Sequence, residues 1–303
     1  MLRTLFLLTA FLTLIGWSLA HPEPLMLTVT LAGLCIGSFL NVVIYRLPLM
    51  EERRWRQTLQ MASGSDATPF NLAVPRSRCP YCGHAITALE NIPVLSYLWL
   101  QGHCSSCHAT ISVRYPLIEL LTGALTALAL SMLGFTPAGA MATAFCRFAV
   151  AAAMIDWDTQ TLPDQLTLSL LWVGLAMNSQ AIFVEPSVAI AGAVLGYLGL
   201  YIIKGVVTRV VGAEAMGQGD LKLAAAIGAF IGPTGLLLTL MLASLSALVS
   251  GVLFAARRKQ PLLLTSIPFG PFLVAGAFVV MLADTARMDF SERAVSLLRL
   301  LAS

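Results

Sequence analysis

Charge is what this 303-residue chain has least of. Asp, Glu, Lys and Arg together make up 11% of it, against about 25% in an ordinary soluble domain. With 58% hydrophobic residues, that scarcity excludes a soluble globular protein and implies a polytopic membrane protein. The formal net charge is only +3, so no nucleic-acid partner is expected. No Gly-rich cofactor loop of the soluble kind is present, and no internal repeat stands out. Acids are so few that each position carries information, because a carboxylate beside lipid is costly and marks a pathway or a reacting group.

What the chain does have is apolar runs near the length of about 20 residues that spans a bilayer. They lie at Leu5–Leu19, Leu25–Tyr45, Pro116–Leu133, Ala138–Ile155, Leu166–Val184, Val188–Val207, Leu221–Ile231, Leu236–Ala255 and Ile267–Ala283. A polar block, Arg46–Arg114, interrupts the series. The expected fold is an all-α polytopic membrane protein of eight or nine transmembrane helices, with a small cytoplasmic zinc-ribbon-like domain inserted after the second apolar span. The first run, with Arg3 before it and Ser18-Leu19-Ala20 after it, reads as a signal peptide or as a retained helix, and a retained helix is the expectation.

Lys and Arg are missing from alternate loops, those near Gly134–Pro137, Glu185–Pro186 and Gly232–Gly235. They collect in or beside the polar block (Arg46, Arg53, Arg54, Arg56, Arg76, Arg78, Arg114) and at Lys204, Arg209, Lys222, Arg257, Arg258 and Lys259. The positive-inside rule puts those segments in the cytoplasm. The division that follows is 1–45, N-terminal membrane helices; 46–114, a cytoplasmic four-cysteine domain; 115–284, a second membrane domain; and 285–303, an extracytoplasmic tail. Within that tail Ser291–Leu301 suits an amphipathic helix on the membrane or a frayed terminus.

Four of the six cysteines form two C-x-x-C pairs, Cys79 with Cys82 and Cys104 with Cys107. Two residues between paired cysteines let both thiolates reach one tetrahedral ion, and two such pairs close a site. Structural zinc on these four is the expectation. A redox-active C-x-x-C pair and free thiols are the alternatives, and the cytosol argues against disulfides. A closed four-cysteine site does no chemistry and serves to fold a small domain. Cys35 and Cys146 lie in apolar runs and read as small buried hydrophobes.

The acids fall in two segments at the ends of apolar runs, Asp156-Trp157-Asp158 continuing to Asp164, and Gly217-Gln218-Gly219-Asp220. Asp164 follows Pro163 and reads as a helix N-cap. Asp158 reads as a solvated loop charge, and Asp220 alone would also read as a cap. Asp156 ends a helix, where caps of that kind do not belong. Two carboxylates held together share a proton, so one activates water and the other donates to a carbonyl. Spacing alone leaves open whether Asp156 or Asp158 partners Asp220, and leaves an ion pathway as the competing use.

With these residues laid out, the chain resembles the type IV prepilin peptidases, leader peptidases and N-methyltransferases of the Gly-x-Gly-Asp membrane aspartyl protease group. The resemblance rests on Gly37–Val43, Arg46-Leu47-Pro48, both C-x-x-C pairs and Asn91–Ser96. It continues through Arg114-Tyr115-Pro116 with Glu119, Ile155-Asp156 to Asp164, Gly217–Asp220 with Lys222, and Pro268-Phe269-Gly270-Pro271. It implies Asp156 and Asp220 as the catalytic pair. It implies cleavage of the basic leader of prepilins or pseudopilins at the cytoplasmic face of a bacterial inner membrane. It further implies methylation of the new N-terminal residue, usually Phe, from S-adenosylmethionine, in association with the cysteine block. Gly102, Glu90, Asn91 and Arg114 are the candidates for binding that cofactor, with ordinary folding of the block as the other explanation. The competing functions are a transporter using the two acids as a relay and an assembly scaffold with a zinc-bound docking domain. A transporter should have polar groups at mid-membrane depth, where this chain has chiefly Arg147 and Asn178.

Overall fold

The computed structural model describes residues 22–58, 69–211, 216–258 and 267–283. The expected helix Leu5–Leu19 and the tail Ser291–Leu301 lie outside the described residues. Regular structure among the described residues is helical, apart from two isolated antiparallel bridges, Arg78 with Ala85 and His103 with Thr110. The helices are α1 (Pro22–Thr58), α2 (Leu95–Trp99), α3 (Arg114–Leu133), α4 (Pro137–Thr159), α5 (Asp164–Asn178), α6 (Pro186–Val211), α7 (Gln218–Arg258) and α8 (Gly270–Ala283).

Five of them, α1, α3, α4, α6 and α7, are long and apolar enough to cross a membrane. Helix α7 has 41 residues, about 60 Å at ~1.5 Å per residue, twice the ~30 Å hydrocarbon core. It is broken at Gly232, whose φ of 69° is followed by Pro233. Its two arms carry the runs Leu221–Ile231 and Leu236–Ala255. Helices α5 and α8 are apolar but shorter. The run Leu166–Val184 is helical only as far as Asn178. There the fully buried Asn178 side chain accepts the amides of Phe183 and Val184 (3.0 and 3.4 Å) and closes the chain into a turn. Helix α1 overshoots the run Leu25–Tyr45 and continues to Thr58, so the start of the polar block is a helical extension.

Side-chain contacts show which helix ends lie together. At one end Arg114, opening α3, pairs with Asp158, closing α4. The Asp164 amide, opening α5, donates to the Glu51 carboxylate of α1. Gly219 abuts Leu162, and the Gly270 amide, opening α8, reaches Asp156. At the opposite end Gly134 meets Gly139, Asn178 bonds the carbonyls of Ala229 and Phe230, and Gly232 meets Val188.

The larger core includes α4 and the first arm of α7, where Met141, Phe145, Leu221, Ile227 and Phe230 are all completely buried, while Ile155 joins a second cluster with α1 and Ile118 of α3. Phe145 and Phe230 meet edge to face with centroids 5.2 Å apart, the geometry their ring quadrupoles favour. Helix α6 lies against that arm backbone to backbone. A Cβ on Gly192 would strike the Gly228 carbonyl, and one on Gly228 the Gly192 carbonyl. Lipid supplies no hydrophobic drive between helices, so close approach at small residues is what holds them. Cys146 is buried, but Cys35 is exposed on the apolar flank of α1. A sulfur there meets lipid at no cost, so the run gave no signal of which side it faces.

Candidate active site

Asp156 lies in the last turn of α4 and is buried. Its Oδ2 accepts the Gly270 amide at 2.8 Å. Gly270 has to be glycine for this contact, because a Cβ there would sit 2.7 Å from the same oxygen. Asp220 lies in the first turn of α7. Its carboxylate accepts the amide of Gly217, just before the helix, which is the back-reaching half of a capping box. Its Oδ1 is buried with no hydrogen-bond partner among the described residues. Asp220 feels the charges of Asp156 and Lys204. Two acids 64 positions apart (220 − 156) therefore sit as electrostatic neighbours at one end of the bundle. One has an N–H donor, and the other has an oxygen with nothing to bond.

The other acids are occupied differently. Asp158 takes the Arg114 guanidinium in a two-pronged contact of 2.7 and 2.5 Å, while Arg114 also reaches the Met154 carbonyl at 3.4 Å. Asp164 is not the N-cap of α5. Pro163 holds that position, Asp164 is the first helical residue, and its side chain pairs with Lys222. The cap is supplied from α1 by Glu51, so the Asp164 carboxylate is free to pair with a lysine. An apolar groove of about 360 Å³ runs between α5, α6 and α7, lined by Leu168, Leu171, Val194, Tyr197, Leu198 and Lys222 among others. Lys222 is two residues beyond Asp220.

The four cysteines converge. All four sulfurs lie within 4.8 Å of one another, with Cys79 and Cys107 at 3.8 Å and Cys82 and Cys104 at 4.0 Å. A tetrahedral ion with Zn–S near 2.3 Å would space its sulfurs by about 3.8 Å, so the donor set fits zinc. Each pair is a tight turn whose amides point at the first sulfur. The N–H groups of Cys82 and Tyr81 draw the Cys79 thiol down to about 6, and those of Cys107 and Ser106 lower Cys104. The thiolate is the form that binds metal. The bridges Arg78 with Ala85 and His103 with Thr110 bracket the two turns.

The residues considered for cofactor binding are not brought together into a cradle. Glu90 accepts the Ser105 hydroxyl, the Thr87 amide and hydroxyl (both 2.8 Å) and His84 (3.2 Å). The Ser105 bond first, and then the Thr87 amide, hold its carboxyl down at about 2. Gly102, at φ 72°, has both backbone groups engaged, its amide on Tyr97 and its carbonyl on Ile111. Arg114 is held by Asp158. Asn91 is exposed in a short 3₁₀ turn with its amide on Ala88. All four thus have at least one group bonded within the protein. With these groups so engaged, the Glu90 and Arg114 side chains and the Gly102 backbone are not free donors or acceptors for an adenosyl ligand.

Residues 31–133 match the model of the bacterial peptidase A24 N-terminal domain, and residues 143–252 match that of the type IV leader peptidase family. A prepilin leader peptidase/N-methyltransferase of Aeromonas hydrophila is 45% identical over 276 residues, covering 87% of this chain and 93% of that protein. The chain belongs to the type IV leader peptidase family. Proteins with the same description from Pseudomonas aeruginosa (43% identical, 89% of this chain, 94% of that protein) and Burkholderia pseudomallei strain 1026b (45% identical, 84% of each) are equally similar. No solved structure matches. The boundary between the two models falls in the α3–α4 turn. The leader-peptidase portion holds Asp156 and Asp220, and the N-terminal portion holds the cysteine block. In this family member two supporting residues escaped the sequence reading. Glu51 looked like one charge in a charged run, and Gly270 was seen as part of a motif without a partner. A backbone amide aimed from α8 at α4 leaves no trace in composition.

Proposed function

We propose that this chain is a membrane aspartyl endopeptidase that cleaves the leader from prepilins or pseudopilins and methylates the new N-terminus. Membership of the family brings both activities to it. The observation that carries the hydrolytic half is that Asp156 and Asp220 lie at one end of the bundle within electrostatic reach of each other, unequally bonded. An amide can only donate, so the Gly270 contact suits an ionised Asp156. Asp220, beside that charge and with a buried unbonded oxygen, suits the proton. Asp156 then takes a proton from water as the water oxygen attacks the scissile carbonyl carbon, and Asp220 gives its proton to the carbonyl oxygen. Collapse breaks the C–N bond, and the leaving amine takes a proton from the pair.

The site end carries Arg53, Arg54, Arg56, Arg78, Arg114, Lys204, Arg209, Lys222 and Arg257. That excess supports a cytoplasmic active site in a bacterial inner membrane. An apolar precursor helix lying in the bilayer would present its basic leader on this side, and the groove beside Lys222 supports such an approach. The division at 46–114 and 115–284 assigns methyl transfer to the cysteine block and hydrolysis to the membrane helices. The four cysteines hold zinc in a closed shell that folds the block. S-adenosylmethionine supplies the methyl group.

The transporter reading loses one of its two mid-membrane groups. Asn178 is fully buried, and both its polar atoms are used on backbone. The test is Asp156→Asn and Asp220→Asn, each assayed in membranes for cleavage of a pilin-like precursor. Both are expected to insert normally and to lose cleavage by ~10²-fold or more, the scale of a positioned acid or base. Either variant retaining cleavage at the parent rate would end the peptidase reading.

A further inference from the structure

Between its two C-x-x-C pairs the cysteine block carries a short helix, α2, with an exposed apolar face. In α2 the exposed residues are Leu95, Leu98 and Trp99, at 64, 65 and 80%, which is the i, i+3, i+4 spacing of a single helix face. The opposite side is tied inward. The Tyr97 ring lies against Gly102, where a Cβ would meet its hydroxyl, and the Tyr97 backbone carbonyl accepts the Gly102 amide at 2.9 Å. Trp99 and two leucines fully exposed to water would be an unusual surface for a small domain.

The height of α2 relative to the membrane helices is set by one bond. The Val94 amide, immediately before α2, donates to Glu119 Oε2 at 2.8 Å. Glu119 is buried in α3 where that helix lies closest to α1, with Gly37 against its Cα. It is five residues past Arg114, about 7–8 Å along the helix, and helical side chains lean back toward the N-terminus. Val94 is therefore held level with the first turns of the membrane span Arg114–Leu133. The backbone is bent to reach that place. Val94 has φ 62° and ψ −48°, and Leu95 donates to the Pro93 carbonyl at 2.6 Å, a γ-turn that a β-branched residue adopts only under constraint. Around Glu119, α3 is itself apolar and exposed at Leu117, Leu120 and Leu121.

We infer that Leu95, Leu98 and Trp99 are seated in the lipid at the bilayer surface, so that the cysteine block is anchored to the membrane by its own short helix as well as by α1 and α3. The chemistry is that of an interfacial anchor, with apolar side chains in the outer acyl region and an indole at the level where its ring is amphipathic. The lipid occupant follows from the Glu119 tether, which ties α2 to the membrane span Arg114–Leu133 beside its exposed Leu117, Leu120 and Leu121. The anchor sets the block at the same membrane level as Arg114 and, through it, Asp158. It does not depend on the proposed catalysis.

The experiment uses the full-length protein in vesicles with Trp99 as the sole tryptophan, Trp17, Trp55, Trp157 and Trp172 being changed to Phe. The vesicles carry phosphatidylcholine brominated either high or low on the acyl chains. Trp99 emission is expected to be blue-shifted and quenched most by the shallow bromines, with or without an added apolar helical peptide. If the fourfold replacement fails to insert, Trp99→Phe in the otherwise native chain is compared with the parent. It is expected to remove a shallow-quenched component. Emission typical of water with no bromine quenching would overturn the proposal. So would quenching confined to the deep bromines, or a blue shift that occurs only when the peptide is added, which would make the face a docking surface for an apolar helix. Glu119→Ala and Val94→Gly separate the tether from the face. Glu119→Ala removes the acceptor of the Val94 amide and should weaken the shallow quenching by loosening the helix, and Val94→Gly should preserve it.

Discussion

The Gly270 amide donates to Asp156 Oδ2 across 114 positions of sequence, and no side chain larger than hydrogen fits between them. The opening of α8 is thereby used to hold a carboxylate at the end of α4. Gly270→Ala puts a methyl 2.7 Å from that oxygen, so the carboxyl must rotate or α8 must withdraw. A displacement near 1 Å in a reacting group costs about 10²-fold in rate. The expectation is a 10–100-fold fall in precursor cleavage with unchanged insertion and little change in KM, measured on membranes over a range of precursor concentrations. A fall seen only in KM would mean that Gly270 contacts substrate instead.

The membrane class, the helix positions and the pairing of the cysteines were legible in the sequence because each is a local pattern. Apolar runs of span length mark helices, and two C-x-x-C turns mark a four-sulfur centre. What was not legible depended on pairings across the chain. Leu166–Val184 looked like one span because the apolar run is continuous, yet Asn178 ends the helix by bonding backbone on two other segments. Asp164 looked like a cap because of its place after proline, but Glu51 of α1 performs that role. The two acidic segments could be singled out by their cost near lipid, and only the family resemblance picked Asp156 over Asp158 as the partner of Asp220. Which of that pair has a donor and which an empty oxygen required the third element, α8.

Metal content checks the cysteine centre. The four-sulfur spacing predicts one zinc per chain in purified protein. Cys82→Ser or Cys104→Ser should lower that content and open the block to protease between residues 69 and 113. Among the described residues the hydrogen bonds of Asp156 and Asp220 come from Gly270 and Gly217, outside the block, so hydrolysis should fall less than zinc occupancy does. Elemental analysis with limited proteolysis measures both. A protein that contains no metal yet resists protease would remove zinc from the account.

Arg114 and Asp158 connect the end of the cysteine block to the acid-bearing end of α4. Both side chains are more than a third exposed, so solvent screening leaves such a pair about 0–1 kcal/mol. A double-mutant cycle with Arg114→Ala and Asp158→Ala should return a coupling in that range for unfolding in detergent. If the pair also positions the block for methyl transfer, each single change will raise the fraction of cleaved but unmethylated product, read by mass spectrometry. Equal methylation in all four proteins would confine the pair to folding.

Asn178 repairs the break in α7. Pro233 has no N–H, so the carbonyl of Ala229, four residues earlier, lacks its helical partner. Asn178 Nδ2 takes that carbonyl at 2.8 Å and that of Phe230 at 3.0 Å, while Oδ1 accepts Phe183 and Val184. Asn178→Ala leaves those groups unsatisfied in a completely buried place, at about 1–3 kcal/mol for an unsatisfied buried group. The hinge between the two arms of α7 should loosen. The Asp pair, at the other end of the first arm, should keep its bonds. The expected result is a lower unfolding midpoint in detergent with near-normal cleavage at low temperature and early loss of cleavage on warming. If cleavage is lost at every temperature while the midpoint is unchanged, the far end of α7 is coupled to Asp220 more tightly than these hydrogen bonds imply.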